Sequence, residues 1–554
     1  MDELKKRMTR RDFLKTAAIF GVGATVAACK PAAEAPAAEV AEEVKPTDAP
    51  AAAAEATAVP EAEVVEQVLN WGEAGSFNSW NAWTMSSAND SMHNMAYNRL
   101  IWKDNAGEVH PDLADTWEVA DDGLSMTLNL NANAVWHDGK PVVAGDFVEM
   151  FDYTSDEALA DNSGVQKLSG LLKSFDNVEA VDDKTLKITF PQPVPFVYDL
   201  LDYWYAILVT DPDDARMFGN LAVGSGPFKM TEFKADEFTK FERVSDYFKG
   251  EPALSAIVIK KLTPETLIPN LESGEIDAIK KISASDYDYV TGLDAFDVKI
   301  NEGSGGIVNI VVDTKKAPLS DNRVRQAISY ALDRETINQE LFYGVNTPTS
   351  APFYSEASIA FKQDLKDYYK FDLEKAQALL DEAGVGEFAL DIIAWTAMPE
   401  WTLYLQVWQA DLAKIGITLN ITEFESAEFY EIARDPDLGG YHLSVWGTGR
   451  TKRDPAIFFQ TQQQYFGGPA DSDYVNPFGW VSEEMNDAVM AGMVELDPAK
   501  RAEFYQKANE VLTTEQPMIN VISNNQLMAY NTKVKGLEAD LLGFWMYDNV
   551  TVEA

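Results

Sequence analysis

Asp321-Asn322-Arg323-Val324-Arg325-Gln326-Ala327-Ile328-Ser329-Tyr330-Ala331-Leu332-Asp333-Arg334 carries the plainest structural signal in this chain of 554 residues. Asp321 is an N-cap residue type, and Val324, Ala327, Ile328, Ala331 and Leu332 fall on one face at helical spacing. The stretch therefore predicts a capped amphipathic helix over Arg323–Arg334. Arg325 and Arg334 are expected to pair with acids around it. Toward the C-terminus, Asp372 caps a second helix, Leu373–Ala383, with Ala376, Leu379, Leu380 and Ala383 inward and Gly384 as its stop. A third, Leu403–Lys414, runs through Ile415-Gly416 into a strand, Ile417–Ile421. Asp497-Pro498 opens a fourth that buries Tyr505, Ala508, Val511 and Leu512. Toward the N-terminus, Val68–Trp71 reads as a first strand. Thr116–Val119 and Ser125–Leu130 read as a hairpin around Asp121-Asp122-Gly123. Helices alternating with strands indicate α/β lobes, with a β-rich insertion in the first half. The stretch from Val68 to Ala554 is too long for one ordinary domain.

Composition excludes several functions. The net charge is −44, and Met1–Ala28 carries six basic residues against three acidic, so a chain cleaved before Cys29 would stand at −47. Nucleic acid is excluded as a partner, because binding it rests on basic surfaces. A single cysteine forbids an intramolecular disulfide. His93, His110, His137 and His442 show no metal-ligand spacing, so neither a protein-supplied metal site nor a cofactor is expected. There is no Gly-x-Ser-x-Gly elbow and no His-Glu-x-x-His. Gly224-Ser225-Gly226-Pro227 lacks the Lys-Ser/Thr of a phosphate loop and reads as a turn, as does His137-Asp138-Gly139.

The N-terminus reads as an export address. Arg10-Arg11-Asp12-Phe13-Leu14-Lys15 has the form of a twin-arginine signal and is followed by an apolar run too short to span a bilayer. Val26-Ala27-Ala28-Cys29 resembles the bacterial lipobox, in which the cysteine is lipidated and becomes the first mature residue. Residues 1–28 are thus expected to be a signal. Residues 29–67, rich in Ala, Pro and Glu, are expected to be an extended linker, since they have little apolar surface to offset the ordering entropy.

Several segments together resemble the solute-binding proteins of bacterial ABC importers, in the group that binds peptides, nickel chelates and some oligosaccharides. His110-Pro111-Asp112-Leu113-Ala114-Asp115-Thr116-Trp117 with Asp121-Asp122-Gly123, and Trp136-His137-Asp138-Gly139-Lys140-Pro141 with Asp146-Phe147, are similar to the family's opening motifs. Gly224-Ser225-Gly226-Pro227-Phe228, Asp246-Tyr247-Phe248-Lys249-Gly250, Gly274-Glu275-Ile276-Asp277 and Val324–Arg334 follow in the family's order. So do Ala376–Gly384 and Trp446 with Asp454-Pro455. The resemblance implies a type II periplasmic-binding-protein clamshell with an extra domain inserted in lobe one. Mapped onto this chain, lobe one is residues 68–104, 221–304 and 523–554, the inserted domain 105–220 and lobe two 305–522, with hinges near Ser304 and Ser523. A ligand would sit between the lobes and stabilise the closed state by contacting both.

In peptide-binding relatives an Asp about three residues beyond the motif Trp grips the ligand's ammonium. Here that position is Gly449, followed by Arg450, Lys452 and Arg453, either cleft-lining cations or a solvated, locally paired loop. Trp71, Trp80, Trp83, Trp395, Trp401 and Trp446 fall in or beside loops that follow strands, where α/β ligand sites form, and they suggest flat apolar surface for sugar rings or peptide side chains. Glu73 is placed to accept hydrogen bonds from hydroxyls or an amine, with Asn78 and Asn81 as amide contacts. The expected protein is a monomeric, non-enzymatic receptor, lipid-anchored outside the cytoplasm, that delivers a peptide or an oligosaccharide to ABC permease subunits. The alternatives are a sensory receptor with the same clamshell and a surface hydrolase.

Overall fold

The computed structural model describes residues 66–74, 90–155, 172–209, 223–304, 306–435, 437–449, 453–461 and 478–553. The expectations for Arg10, Arg11, Cys29, Asn78, Trp80, Asn81, Trp83, Arg450 and Lys452, and for nearly all of the 29–67 linker, lie outside these residues.

Two sheets organise the chain. A seven-stranded sheet has the order Phe296–Asn301, Gln526–Asn531, Ala278–Ile279, Val68–Ala74, Ala256–Leu262, Phe238–Arg243 and Phe228–Lys234. A six-stranded sheet has the order Thr347–Pro348, Met518–Ser523, Ile307–Val312, Leu443–Thr448, Phe388–Trp395 and Ile417–Phe424. Its strand Ile307–Val312 is buried at every residue, as expected of an apolar run in a sheet covered on both faces. The hairpin Ala114–Val119/Ser125–Leu130 belongs to a separate four-stranded sheet with Asn177–Ala180 and Thr185–Thr189. The chain passes between the two large sheets twice, from Asn301 to Ile307 and from Ser523 to Gln526.

Local capping chemistry explains most helix boundaries. Asp372 accepts the Lys375 N–H and Gly384 closes Leu373–Ala383 in a left-handed conformation, while Asp497 accepts the Ala499 and Lys500 N–H groups at the start of Pro498–Glu515. The opening stretch differs from expectation. It forms two helices, Asn322–Tyr330 and Arg334–Phe342, because Asp333 caps a new helix by accepting the Thr336 N–H.

Of that stretch's three arginines, Arg323 pairs with Asp321, whereas Arg325 and Arg334 donate to backbone carbonyls and not to acids. Arg334 donates from Nε to the Asn520 oxygen at 2.8 Å and from its terminal nitrogens to the Ser329 and Tyr369 oxygens and the Ser329 hydroxyl. Arg325 donates to the Glu515 and Leu319 oxygens. Burial pushes the Arg334 guanidinium down to about 9. It serves as a buried polar bolt between helix and sheet, satisfying carbonyls that no water reaches.

The motif glycines are architectural. A Cβ on Gly224 would stand 1.9 Å from the Ala96 oxygen, so the backbone there approaches too closely for any side chain. His137 bonds through Nε2 to the neighbouring Gly226 oxygen at 2.9 Å, and Gly139 turns the chain at φ +88°.

Candidate functional site

The parallel pairings fix where a site can form. Val68–Ala74 runs parallel to Ala256–Leu262 and to Ala278–Ile279, so Glu73 and Lys280 emerge at the same edge of the first sheet. Phe388–Trp395 runs parallel to Ile417–Phe424 and Leu443–Thr448, so Trp395 and the Trp446–Thr448 end emerge together from the second. Both edges lie at the crossings, since Ile307 pairs with both Thr448 and Ser523, and Asn301 pairs with Gln526. C-terminal strand edges beside a crossover are where open α/β sheets place ligands.

The crossings are tied by amide side chains. The Gly303 N–H donates to Asn525 Oδ1 at 2.8 Å, the Asn525 N–H to Asn346 Oδ1 at 2.9 Å, and Asn346 Nδ2 to Asn524 Oδ1 at 3.1 Å. Gly306 has φ +77°, and a Cβ there would meet the Thr448 oxygen at 2.3 Å. Both the conformation and the close approach require glycine.

On the first edge, Glu73 is only 2 % exposed. It accepts the Trp71 Nε1–H at 2.8 Å and the Ser91 hydroxyl, and stands 3.5 Å from Lys280 Nζ. Lys280, Ser91, Gln526, Phe544 and Trp545 line a narrow crevice beside it, too tight in this conformation to admit a water molecule. Trp71 itself lies wholly in the core, edge-on to Tyr547 at 5.7 Å. Strand alternation puts residues 71 and 73 on one face, so Trp71 presents no surface to a ligand and instead fixes the Glu73 carboxylate.

On the second edge the tryptophans meet. Phe429 stacks between Trp395, at 6.0 Å, and Trp446, at 5.8 Å. Trp401 is edge-on to Trp395 at 6.1 Å. Trp401 is buried in the first turn of the helix Pro399–Ala413, whereas Trp395 and Trp446 are half-buried, and Gly447 and Gly449 are exposed. Trp395 Nε1 donates to the Ser426 hydroxyl at 2.9 Å. The edge is therefore a rigid aromatic wall.

Sequence reasoning did not reach Lys280, Ser91, Gln526, Phe544 or Trp545. Lys280 follows the Gly274–Asp277 motif by three residues, which was its one local signal. Among the described residues, Asp104, Glu108 and His110 are close enough to hold a metal, a grouping that the spacing of the histidines did not suggest. Asp104 is already engaged there, with one oxygen accepting the Ala106 and Glu108 N–H groups and the other bonded to His110 Nε2 at 2.9 Å. No helix of the described residues is long and apolar enough to cross a membrane.

Residues 108–468 match the family described as bacterial extracellular solute-binding proteins, family 5. The chain belongs to that family. The dipeptide-binding protein of Escherichia coli strain K12 is 26 % identical over 526 residues, 89 % of this chain and 96 % of that protein. Heme-binding protein A of Haemophilus influenzae is 25 % identical over 494 residues, 82 % of this chain and 87 % of that protein. Among solved structures, HbpA2 from Haemophilus parasuis superposes with a TM-score of 0.75 at 25 % identity, covering 88 % of this chain and all of that one. The fold of this family-5 protein is thus the two-lobed α/β clamshell of type II periplasmic binding proteins. Its relatives are binding proteins.

Proposed function

We propose that this family-5 protein is the extracytoplasmic receptor of an ABC importer, closing its lobes on a short peptide and delivering it to the permease. The observation that carries the reading is the pair of C-terminal strand edges at the crossings, which we take to face each other across the cleft. One offers a buried, hydrogen-bonded Glu73–Lys280 pair, and the other the wall of Trp395, Trp401 and Trp446 followed by the exposed Gly449. Similarity to a dipeptide-binding protein along nearly its whole length supports a peptide over an oligosaccharide. Residues 68–104, 221–304 and 523–554 form lobe one in this reading, 105–220 the inserted domain and 305–522 lobe two. Arg10 and Arg11 direct export, and lipidated Cys29 holds the 29–67 linker at the membrane, so that a monomeric clamshell reaches both medium and permease.

A thermal-shift screen tests the ligand. Peptides of two to five residues are expected to raise the melting temperature, since a ligand at 100 times its Kd stabilises the native state by about 2.7 kcal/mol. A rise with cello-, xylo- or manno-oligosaccharides alone moves the ligand class to sugars. Turnover of a chromogenic substrate without any shift overturns the receptor reading. Cys29→Ser should move the protein from the membrane to the soluble fraction.

A further inference from the structure

Arg453 follows the exposed Gly449 by four residues, yet it faces neither solvent nor the aromatic wall. It is 6 % exposed, with its guanidinium 4.8 Å over the Tyr203 ring. It donates to the Asp199 backbone oxygen and stands 3.9 Å from Asp199 Oδ1. The next residue joins it, for the Asp454 N–H donates to Asp199 Oδ1 at 3.0 Å. Asp199, 3 % exposed on the short helix Val197–Leu201, also accepts Lys103 Nζ at 2.7 Å through its other oxygen. Burial alone would raise its carboxyl, but Lys103, Arg453 and the Asp454 amide hold it below the usual range.

In the division proposed above, the two sides of this contact belong to different domains, the inserted domain of lobe one and lobe two. The helix Val197–Leu201 packs on the strand Ile101–Lys103, and beside it Arg99 ties Asp202 and Asp540 together at 2.9 Å each. Arg453 and Asp454 follow the lobe-two strand Leu443–Thr448. Asp454 also grips Arg501 with both oxygens, and Arg501 sits on the helix that feeds the strand Met518–Ser523. Gln460 Nε2 to Ser174 Oγ at 3.2 Å, and Arg501 over the Phe196 ring at 5.9 Å, cross the same boundary. Because the crossings are elsewhere, at 301–307 and 523–526, opening the cleft must pull Arg453 off Asp199.

We propose that Asp199 and Arg453 are the positioning residues of a closure latch, setting the closed-to-open ratio of the lobes without contacting ligand. The open state hydrates both ions, so removing either one costs little there. In the closed state the survivor is left buried with less compensation, which penalises closure specifically. The proposal deepens the capture reading and rests on it only for its effect on affinity.

The test needs no ligand. Spin labels at Val181→Cys and Val481→Cys, 56 % and 67 % exposed on the two sides, report the distance between lobes in the full chain carrying Cys29→Ser. Ligand-free protein should show a closed population. Asp199→Asn or Arg453→Met should lower the closed-to-open ratio about tenfold, and the double variant should lose less than the sum of the two. Arg453→Lys should restore part of the ratio. Tyr203→Leu, which keeps every charge, should lower it by a smaller factor and serves if the charge variants do not fold. A wild type with no closed population overturns the latch. So do unchanged distances in Arg453→Met or Tyr203→Leu, including a fall in melting temperature without a change in distance. If the latch holds, apparent Kd for any peptide that binds should rise by the fall in closed fraction with the ranking of peptides preserved. Failure of that arm alone rejects the capture reading and leaves the latch standing.

Discussion

The Glu73–Lys280 pair allows a quantitative test of the lobe-one edge. Glu73→Gln keeps the shape and lets the amide oxygen retain the Trp71 N–H bond of 2.8 Å, while the Ser91 hydroxyl can turn to suit its new partner. What disappears is the charge opposite Lys280, whose side chain is 11 % exposed. Breaking a buried pair from one side costs about 3–5 kcal/mol. Lys280 keeps some water and further contacts, so the expected loss is about 2–3 kcal/mol. Lys280→Met takes the cation 3.5 Å from the Glu73 carboxylate away and should cost a similar amount. The double variant removes both charges together and should recover about 2 kcal/mol of the summed loss. Urea unfolding of the ligand-free protein, monitored by tryptophan fluorescence, gives the cycle. A coupling below about 0.5 kcal/mol, the scatter expected for independent sites, would refute the claim that these residues form one buried unit. The double variant then separates stability from recognition. If the crevice beside Lys280 receives the ligand, peptide binding falls at least tenfold even where folding is restored.

Two further outcomes follow from buried groups. Arg334→Met strands the Ser329, Tyr369 and Asn520 carbonyls, and that loss outweighs the guanidinium desolvation recovered. Unfolding should weaken by about 3 kcal/mol with peptide affinity unchanged in the folded fraction, and a neutral result would show that the desolvation cost dominates. His137 has its pKa lowered to about 4, chiefly by burial, against about 6.5 when unfolded. Between those values the unfolded chain binds a proton that the native chain does not. Stability is therefore full above about pH 6.5 and is lost as pH falls toward 4. With partial solvent access the loss is about 1–3 kcal/mol, and His137→Gln should flatten the melting temperature across that window.

Helix boundaries were legible because capping is local chemistry. Asp372, Asp497 and Asp321 each bond an N–H within three residues. Asp333 has the same chemistry, but the apolar face continues through Ala331 and Leu332, both 0 % exposed, and so hides the break at the second cap. The tryptophans could be picked out of the sequence as a set, but not their geometry. Period-two alternation already implied that Trp71 shares a face with Glu73. No local pattern could reveal that Trp395 and Trp446 sandwich Phe429, or that Glu73 meets Lys280 across 207 positions and Asp199 meets Arg453 across 254. Arginines were misassigned because a guanidinium serves carbonyl clusters as readily as carboxylates, and only the fold decides which it meets.

The absence of an acid at position 449 has a consequence for which peptides bind. A carboxylate gripping a ligand ammonium contributes roughly 1.5–3 kcal/mol, so blocking the amine of a peptide held that way costs about 10- to 150-fold. Here Gly449 offers no side chain, and the buried carboxylate described at the facing edge, Glu73, is engaged by Trp71, Ser91 and Lys280. On the capture reading proposed above, an ammonium arriving beside Gly449 would meet carbonyl dipoles and the aromatic wall, which distinguish a free amine from an acetylated one only weakly. Calorimetric titration of one binding peptide and its N-acetyl form should therefore give affinities within about threefold, well under 1 kcal/mol. Gly449→Asp should restore a preference for the free amine. A tenfold or greater loss on acetylating the ligand of the wild-type protein would mean that an acid elsewhere in the cleft grips the ammonium, and the assignment of recognition to the wall and the Lys280 crevice would be wrong.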